Sequence, residues 1–154
     1  MNTIEIERVL RRVCGKDFDG VFSVDTLPEK PHLLVANTDP AYEPGEHWVC
    51  ICVNDGGYGE YFDSLGQPPT DTIKRYLNRC CLSWTFNTRQ VQSVISRFCK
   101  HYCIYYCLLK SRGVDMPKIA ASFTTDTSFN DVLVHKLVCH VLNEYKCMHV
   151  LRKK

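Results

Sequence analysis

The 154-residue sequence has no run of about 20 uninterrupted apolar residues, the length that a membrane-spanning helix needs. Its first residues, Met1–Glu5, lack the basic and apolar regions of a secretory signal peptide. No linker, repeat or low-complexity segment divides the chain. We therefore expect a soluble, intracellular protein that folds as one domain over residues 1–154, since 45% hydrophobic residues at this length are enough for a substantial core.

The sequence also lacks a Cys-x-x-Cys pair, although it contains ten cysteines and six histidines. Structural zinc sites need strict ligand spacing, and proteins that are not secreted keep their thiols reduced. We therefore predict no bound metal and no disulfides, with most thiols packed as small apolar side chains. A zinc site remains the alternative hypothesis for a group that we expect on a C-terminal helix: His135, Cys139, His140, Cys147 and His149.

A long run of basic residues is missing too, and the net charge of +2 is small. Two hypotheses about charge stay open: a solvated surface with scattered charges, or basic patches that bind nucleic acid. The residues that would form such patches are Arg8, Arg11, Arg12, Lys74, Arg75, Arg79, Arg97, Lys100 and Arg152–Lys154.

Residues 47–63 have the pattern of a β-hairpin that carries a histidine at one open end and an aspartate at the other. Residues 47–53 are β-branched, aromatic and apolar, a second short strand ends at Asp63, and a glycine-rich segment between them supplies the positive φ angles of a tight turn. Folding about this turn brings His47 beside Asp63, to within a residue or two of register. The sequence therefore predicts a hydrogen-bonded pair in which the carboxylate orients the imidazole and stabilises its protonated form.

A second apolar segment begins at Cys99 and contains no Gly or Pro as far as Lys110, which predicts a helix buried on most sides. We expect Ser96 to cap this helix, so that Cys99 lies in the first turn, where the helix dipole and free N–H groups favour a thiolate. Gln92 lies in the loop before the helix, from which its amide and the Cys99 N–H can donate to one oxyanion. With His47, these residues are the parts that a cysteine endopeptidase requires.

The rest of the pattern predicts an α+β fold with a central mixed or antiparallel sheet flanked by helices. We expect the C-terminal helix to close one side of the sheet. Besides the hairpin and the Cys99 helix, the predicted helices cover residues 3–13, 70–79 and 130–151, and the predicted strands cover residues 20–24, 32–37 and 83–87.

At these residues the chain resembles the adenovirus-type (adenain-like) cysteine endopeptidases, above all the versions carried by Polinton or Maverick transposons and related DNA viruses. The resemblance covers most of residues 17–109 with similar spacing, and its specific parts are His47–Trp48, Phe62–Ser64 and the Gln92-to-Cys99 spacing. The other matching stretches are Asp19–Phe22, Asp25–Pro28, Val35–Pro40, Pro44–Val49, Gly59–Pro69 and Tyr102–Tyr105.

The resemblance implies the fold shared by adenain and the SUMO proteases, with the catalytic cysteine at the N-terminus of a buried helix. It implies that His47 is the general base, Asp63 its orienting acid, Cys99 the nucleophile and Gln92 the oxyanion donor. Singly, each residue has an ordinary alternative, such as a strand histidine, a turn aspartate, a surface amide or one buried thiol among ten. Jointly, the four parts in the family's order favour an active site.

The resemblance also bears on cofactors, partners and location. It implies no required cofactor, although adenoviral relatives are stimulated by DNA and by a peptide, and Cys80–Cys81 lie near where those enzymes carry the cysteine that joins the peptide. We expect a monomer that acts on protein substrates and has no membrane partner. If a virus or transposon encodes it, we expect it in the host nucleus or in the particle.

One position departs from the family. Its members usually carry Gly directly after the catalytic cysteine, and Lys100 occupies that place here. A lysine must either turn outward or narrow the site. We expect it to turn to solvent, because a side chain near a helix start usually can.

Three functions are consistent with these observations. The first is an endopeptidase that cuts viral or transposon capsid or core precursors during particle maturation, at sites containing Gly. The second is a deconjugating protease for ubiquitin-like proteins. The shortness of the chain argues against this function, because it leaves little surface for an exosite. The third is a catalytically silent DNA- or capsid-binding homologue, which Lys100 makes conceivable.

Overall fold

The computed structural model describes the backbone of residues 2–151 and the side chains of residues 2–144. Arg152–Lys154 and the side chains of Cys147 and His149 therefore lie outside the described part. The elements run in the order α1 (Thr3–Cys14), β1 (Phe18–Ser23), β2 (Leu33–Asn37), β3 (Trp48–Val53), β4 (Tyr58–Phe62), α2 (Asp71–Cys80), β5 (Ser83–Phe86), α3 (Cys99–Lys110), α4 (Met116–Ala121) and α5 (Thr127–Leu151).

The five strands form one mixed sheet in the order β1-β2-β3-β4-β5. The central pairs β2–β3 and β3–β4 are antiparallel, whereas β1–β2 and β4–β5 at the two edges are parallel. Helices lie on both faces. The predicted α+β class with a central mixed sheet is therefore confirmed.

Successive side chains of each strand point to opposite faces of the sheet, and apolar residues on both faces form two cores. On one face, Val35, Cys50 and Phe62 pack with α1 and α3. On the other face, the intervening apolar residues of the strands, including Val49 and Ile51, pack with α2. The sheet is therefore buried on both sides, which explains why β3 shows a continuous apolar pattern.

The hairpin of β3 and β4 turns at Gly57, which has a φ of 81°, as the glycine-rich segment predicted. Cys50 pairs with Phe62, so the same register extended by one residue sets Val49 opposite Asp63. His47, two residues before Val49, therefore reaches Asp63 diagonally across the open end of the hairpin. The predicted proximity of His47 and Asp63 is confirmed. The two residues are offset by two positions instead of lying directly opposite each other.

Two parts of the helical prediction are corrected. Helix α4 was not predicted: it has only six residues, and Pro117 lies in its first turn, where a proline fits a helix. Helix α5 begins at Thr127, three residues earlier than predicted, and it packs mainly on α3 instead of closing a side of the sheet. Its buried residues Val134 and Val138 join the core that contains α3. None of the described helices combines the length and apolarity needed to cross a bilayer.

Candidate active site

The open end of the hairpin carries a tightly bonded histidine and aspartate. His47 Nε2 donates to Asp63 Oδ1 at 2.8 Å. The Asp63 residue is 3% exposed, whereas His47 is only partly buried. The histidine therefore presents one ring nitrogen to a buried carboxylate, which leaves Nδ1 for another partner.

Asp63 is held in place from two sides. The same Oδ1 atom accepts the Leu65 N–H at 2.8 Å. The Asn87 side chain bonds the Asp63 backbone twice, because Asn87 Oδ1 accepts the Asp63 N–H at 2.8 Å and Asn87 Nδ2 donates to the Asp63 carbonyl at 2.6 Å. Asn87 follows β5, which lies parallel to β4, so the two strands deliver these residues to the same edge of the sheet.

The loop that leads to His47 is braced by short polar side chains. Asn37 Oδ1 accepts the Asp39 N–H, and Asp39 Oδ2 accepts the Glu46 N–H, both at 3.0 Å. The Thr38 N–H donates to the carbonyl of His47 itself at 3.0 Å. These bonds fix the backbone immediately before β3 and with it the position of the imidazole.

Cys99 is the second partner of His47. Burial alone would lower the pKa of His47, but hydrogen bonds to Asp63 and to Cys99, together with the charges of both groups, raise it to about 10. The imidazole therefore holds its proton at neutral pH. A protonated histidine beside a cysteine is the arrangement that favours a thiolate.

Cys99 is the first residue of α3 and is 6% exposed. The first N–H groups of a helix have no partner within it, so the Cys99 N–H is available to a substrate oxygen. The prediction that Ser96 caps this helix is wrong: Phe98 occupies the N-cap position without a side-chain bond, and the Ser96 hydroxyl donates to the Ser93 carbonyl at 3.1 Å. The loop before the helix folds on itself, which removes Ser96 from the helix end.

Gln92 is buried and oriented by bonds at both ends of its amide. Its Oε1 atom accepts the Ser64 hydroxyl at 2.6 Å, and its Nε2 atom donates to the Ser96 carbonyl at 3.0 Å. The Ser64 carbonyl also accepts the Gln92 N–H at 3.0 Å. An amide group carries two hydrogens, so one remains for a further acceptor. Gln92 thus connects the residue after Asp63 with the loop that leads into Cys99.

A buried polar cluster anchors this loop from the opposite side. The Tyr102 hydroxyl donates to Asp131 Oδ1 at 2.8 Å, and the same atom accepts the Ser93 N–H at 3.4 Å. Asn130 Nδ2 donates to the Val91 carbonyl at 3.0 Å. Helices α3 and α5 therefore fix the backbone on either side of Gln92.

Beside Cys99 lies an open cleft of about 560 Å³, between the loop before β3 and the start of α3. The expectation that Lys100 turns to solvent is wrong. Its Nζ atom lies 5.0 Å from the ring centroid of the buried Trp48, and both residues line the cleft. The lysine is held there because a cation is attracted to the face of an indole ring.

The remaining described cysteines are free, and several share the core. Cys50 Sγ lies 3.9 Å from Cys107 Sγ, and it approaches the Cys103 carbonyl at 3.7 Å. Burial raises the pKa of the Cys50 and Cys103 thiols. Within residues 2–144, no group of three or more His, Cys, Asp or Glu side chains is arranged to hold a metal ion.

No protein-family model matches the chain, and no curated protein matches its sequence. Solved structures do match. The crystal structure of the ASFV (African swine fever virus) pS273R protease has a TM-score of 0.63 at 20% identity over 87% of this chain and 66% of that chain. Its selenomethionine form has a TM-score of 0.60 at the same identity over 88% and 66%. The chain has a cysteine protease fold.

A third structure, the central domain of the uncharacterized Lpg1148 protein from Legionella pneumophila, has a TM-score of 0.52 at 12% identity and covers 93% of this chain and 98% of that one. This chain spans 66% of the length of the viral protease. At these identities the likeness establishes the fold, which is SUMO-protease-like as the resemblance implied. The narrower likeness to Polinton and adenain enzymes stays a prediction.

Sequence reasoning overlooked several residues that position the site. Ser64 holds the Gln92 amide, Asn87 holds the Asp63 backbone, and Asp131 holds the loop before Cys99. A partial signal was present for two of them, because Ser64 and Asn87 are polar residues within two positions of the ends of the neighbouring strands β4 and β5. Asp131 has no such signal, since it lies in a helix 38 residues after Ser93.

Proposed function

We propose that this protein is a cysteine endopeptidase in which Cys99 is the nucleophile, His47 the general base and acid, Asp63 the orienting carboxylate and Gln92 an oxyanion donor. One observation carries the proposal. A histidine bonded to a buried carboxylate also contacts a cysteine that begins a helix, and its pKa is raised so that it holds a proton.

The reaction follows from this geometry. The Cys99 thiolate attacks the carbonyl carbon of the scissile peptide bond, and the oxygen takes up the negative charge. The Cys99 N–H and the second hydrogen of the Gln92 amide are the donors that stabilise this oxyanion. The His47 imidazolium then protonates the leaving amine as the C–N bond breaks, which leaves a thioester on Cys99.

Hydrolysis of the thioester completes the cycle. Neutral His47 removes a proton from the water that attacks the thioester carbonyl and keeps this proton as the C–S bond breaks. The carboxylic acid product leaves, and the Cys99 thiolate and His47 imidazolium are restored. Asp63 keeps the imidazole in one orientation through both halves of the reaction.

For the substrate, we propose capsid or core precursor proteins of a virus or transposon, cut at Gly-containing sites during particle maturation. The resemblance to adenain-like enzymes and the fold shared with a viral protease support this choice. Deconjugation of ubiquitin-like proteins is the alternative within the same fold. Stimulation by DNA or by a peptide remains a prediction from the resemblance.

Covalent labelling tests the proposal directly. A peptide-glycine vinyl sulfone should modify one cysteine per chain, and peptide mapping should identify Cys99. The matched controls are Cys99→Ala, which should not be labelled, and Cys139→Ala, which removes a partly exposed thiol outside the site and should be labelled as the wild type. Labelling elsewhere, or no turnover of any Gly-containing fluorogenic peptide, would favour the catalytically silent homologue.

A further inference from the structure

The cleft beside Cys99 is charged in a way that the catalytic groups do not explain. One wall presents Arg97, in the loop two residues before Cys99, and Lys100, directly after Cys99 in α3. The opposite wall is formed by Pro44–Glu46 and Trp48. An extended peptide on Cys99 therefore passes two cations within the length of a few residues.

No carboxylate among the described side chains neutralises either cation. Among the side chains of residues 2–144, the ion pairs with Asp or Glu involve neither Arg97 nor Lys100. Among the described residues, Glu46 is the one Asp or Glu that lines the cleft, and it is exposed. His101 adds no positive charge at neutral pH, because burial and the neighbouring His135 lower its pKa to about 4. Apart from the catalytic pair of Cys99 and His47, the described residues give the cleft two cations and one anion.

Lys100 stands where the family that the chain resembles usually carries Gly, and its side chain packs on Trp48. Its amine lies over the Trp48 ring on the cleft side, so its charge is directed at the space that a substrate occupies. A cation–π contact at a partly exposed site is weak compared with a charge-assisted hydrogen bond to a carboxylate. An acidic side chain that enters the cleft can therefore bind the Lys100 amine in place of the Trp48 ring, with little cost in free energy from the lost cation–π contact.

We propose that Arg97 and Lys100 form a carboxylate subsite that selects substrates with Asp or Glu within two residues of the scissile bond. The proposal rests on the proposed endopeptidase function and narrows its substrate class. The spacing follows from chain geometry: each extended residue advances about 3.3 Å, so residues further from the cut lie beyond the part of the cleft that flanks Cys99.

A peptide panel tests the subsite. Fluorogenic peptides with one Gly-containing core carry Glu, Gln or Lys at each of the two positions on either side of the cut. At one of these positions, kcat/KM should be at least about tenfold higher for Glu than for Gln, since hydrogen bonds to charged groups contribute at that scale. Equal rates for Glu and Gln at every position would refute the subsite and leave the endopeptidase function intact.

Charge variants identify the residues responsible. Lys100→Glu should reverse the order, so that the Lys peptide is cut faster than the Glu peptide, and Arg97→Gln should weaken the preference for Glu. Lys74→Glu makes the same change in net charge on α2, which packs on the other face of the sheet, and should leave the preference unchanged. A reversal by Lys74→Glu as well would attribute the effect to long-range charge and overturn the proposal.

Binding separates this proposal from the catalytic one. In the Cys99→Ala variant, fluorescence anisotropy should show tighter binding of the Glu peptide than of the Gln peptide, and Lys100→Glu should abolish the difference. This holds whether or not the wild type cleaves either peptide. Equal affinities would overturn the subsite even if turnover is observed.

Discussion

Helix α3 carries three cysteines at helical spacing, and its first cysteine lies in a different environment from the two that follow. Cys99 contacts His47 and borders an open cleft, whereas Cys103 and Cys107 are buried in the core beside Cys50. Burial raises the pKa of the Cys103 thiol, so this group stays protonated. The comparison teaches that position along a helix, and the groups which that position meets, determine whether a thiol can react.

Removing the histidine should abolish most of the reactivity that distinguishes Cys99 from the two buried thiols of α3. In His47→Ala, Cys99 loses both its charged partner and the proton donor for the leaving group, so kcat/KM on a Gly-containing fluorogenic peptide should fall about 10⁴-fold. His140→Ala, which removes an exposed histidine on α5, is the control and should retain the wild-type rate. Undiminished turnover in His47→Ala would mean that another base serves Cys99.

Removing the carboxylate should lower the reactivity of Cys99 only in part. Asp63→Ala leaves the imidazole unoriented, and we expect turnover to fall by a factor of roughly 10 to 1000 with the fold intact. Circular dichroism checks the fold. Asp55→Ala, at the opposite end of the same hairpin, should change turnover little. If the two variants have equal turnover, the orienting acid lies elsewhere.

Alkylation measures the difference between the thiols directly. Iodoacetamide at substoichiometric dose and pH 6 should modify Cys99 first, because a thiolate reacts and a buried thiol does not. Mass-spectrometric mapping gives the order of modification. His47→Ala should abolish the preference, which provides an internal control. Earlier modification of Cys103 or Cys107 would overturn the assignment of the nucleophile.

The smallest effect should appear in the pH dependence of stability. The pKa of His47 is raised to about 10 in the folded protein, against about 6.5 in the unfolded chain. The contribution of His47 to the free energy of unfolding is therefore fully present below pH 6.5 and is lost as the pH rises toward 10. The lowered pKa of His101, about 4, acts in the other direction: its contribution is present above 6.5 and is lost as pH falls toward 4. We expect the free energy of unfolding to be highest near pH 6.5.

Urea unfolding at a series of pH values checks this expectation. His47→Ala should flatten the alkaline side of the curve, and His101→Phe should flatten the acid side. An alkaline slope that is unchanged in His47→Ala would show that the imidazole does not hold its proton in the folded protein.

Much of the fold could be predicted because its signals are local. The turn at Gly57, the alternation along β3 and the uninterrupted segment after Cys99 each depend on residues close in sequence. The hairpin also brought His47 and Asp63 together, since closing a tight turn determines which residues meet at its open end. The catalytic roles of these residues stay predictions.

Errors occurred where a residue had a choice of partners. Ser96 is a suitable N-cap residue, yet its hydroxyl bonds the Ser93 carbonyl within a folded loop. Lys100 is free to turn outward by its local position, yet it packs on Trp48 from a different element. In both cases the local sequence allows the predicted conformation, but a competing contact has the lower free energy.

The sequence by itself determined most of the elements, the hairpin pair and the cysteine at a helix start, because turn chemistry and periodicity act over a few residues. Only the tertiary structure decided that Cys99 meets His47, that Ser64 orients Gln92 and that Lys100 faces the cleft. These contacts join residues that are far apart in the chain. They depend on how a whole helix packs against the sheet, and side-chain packing of that kind is a property of the complete core.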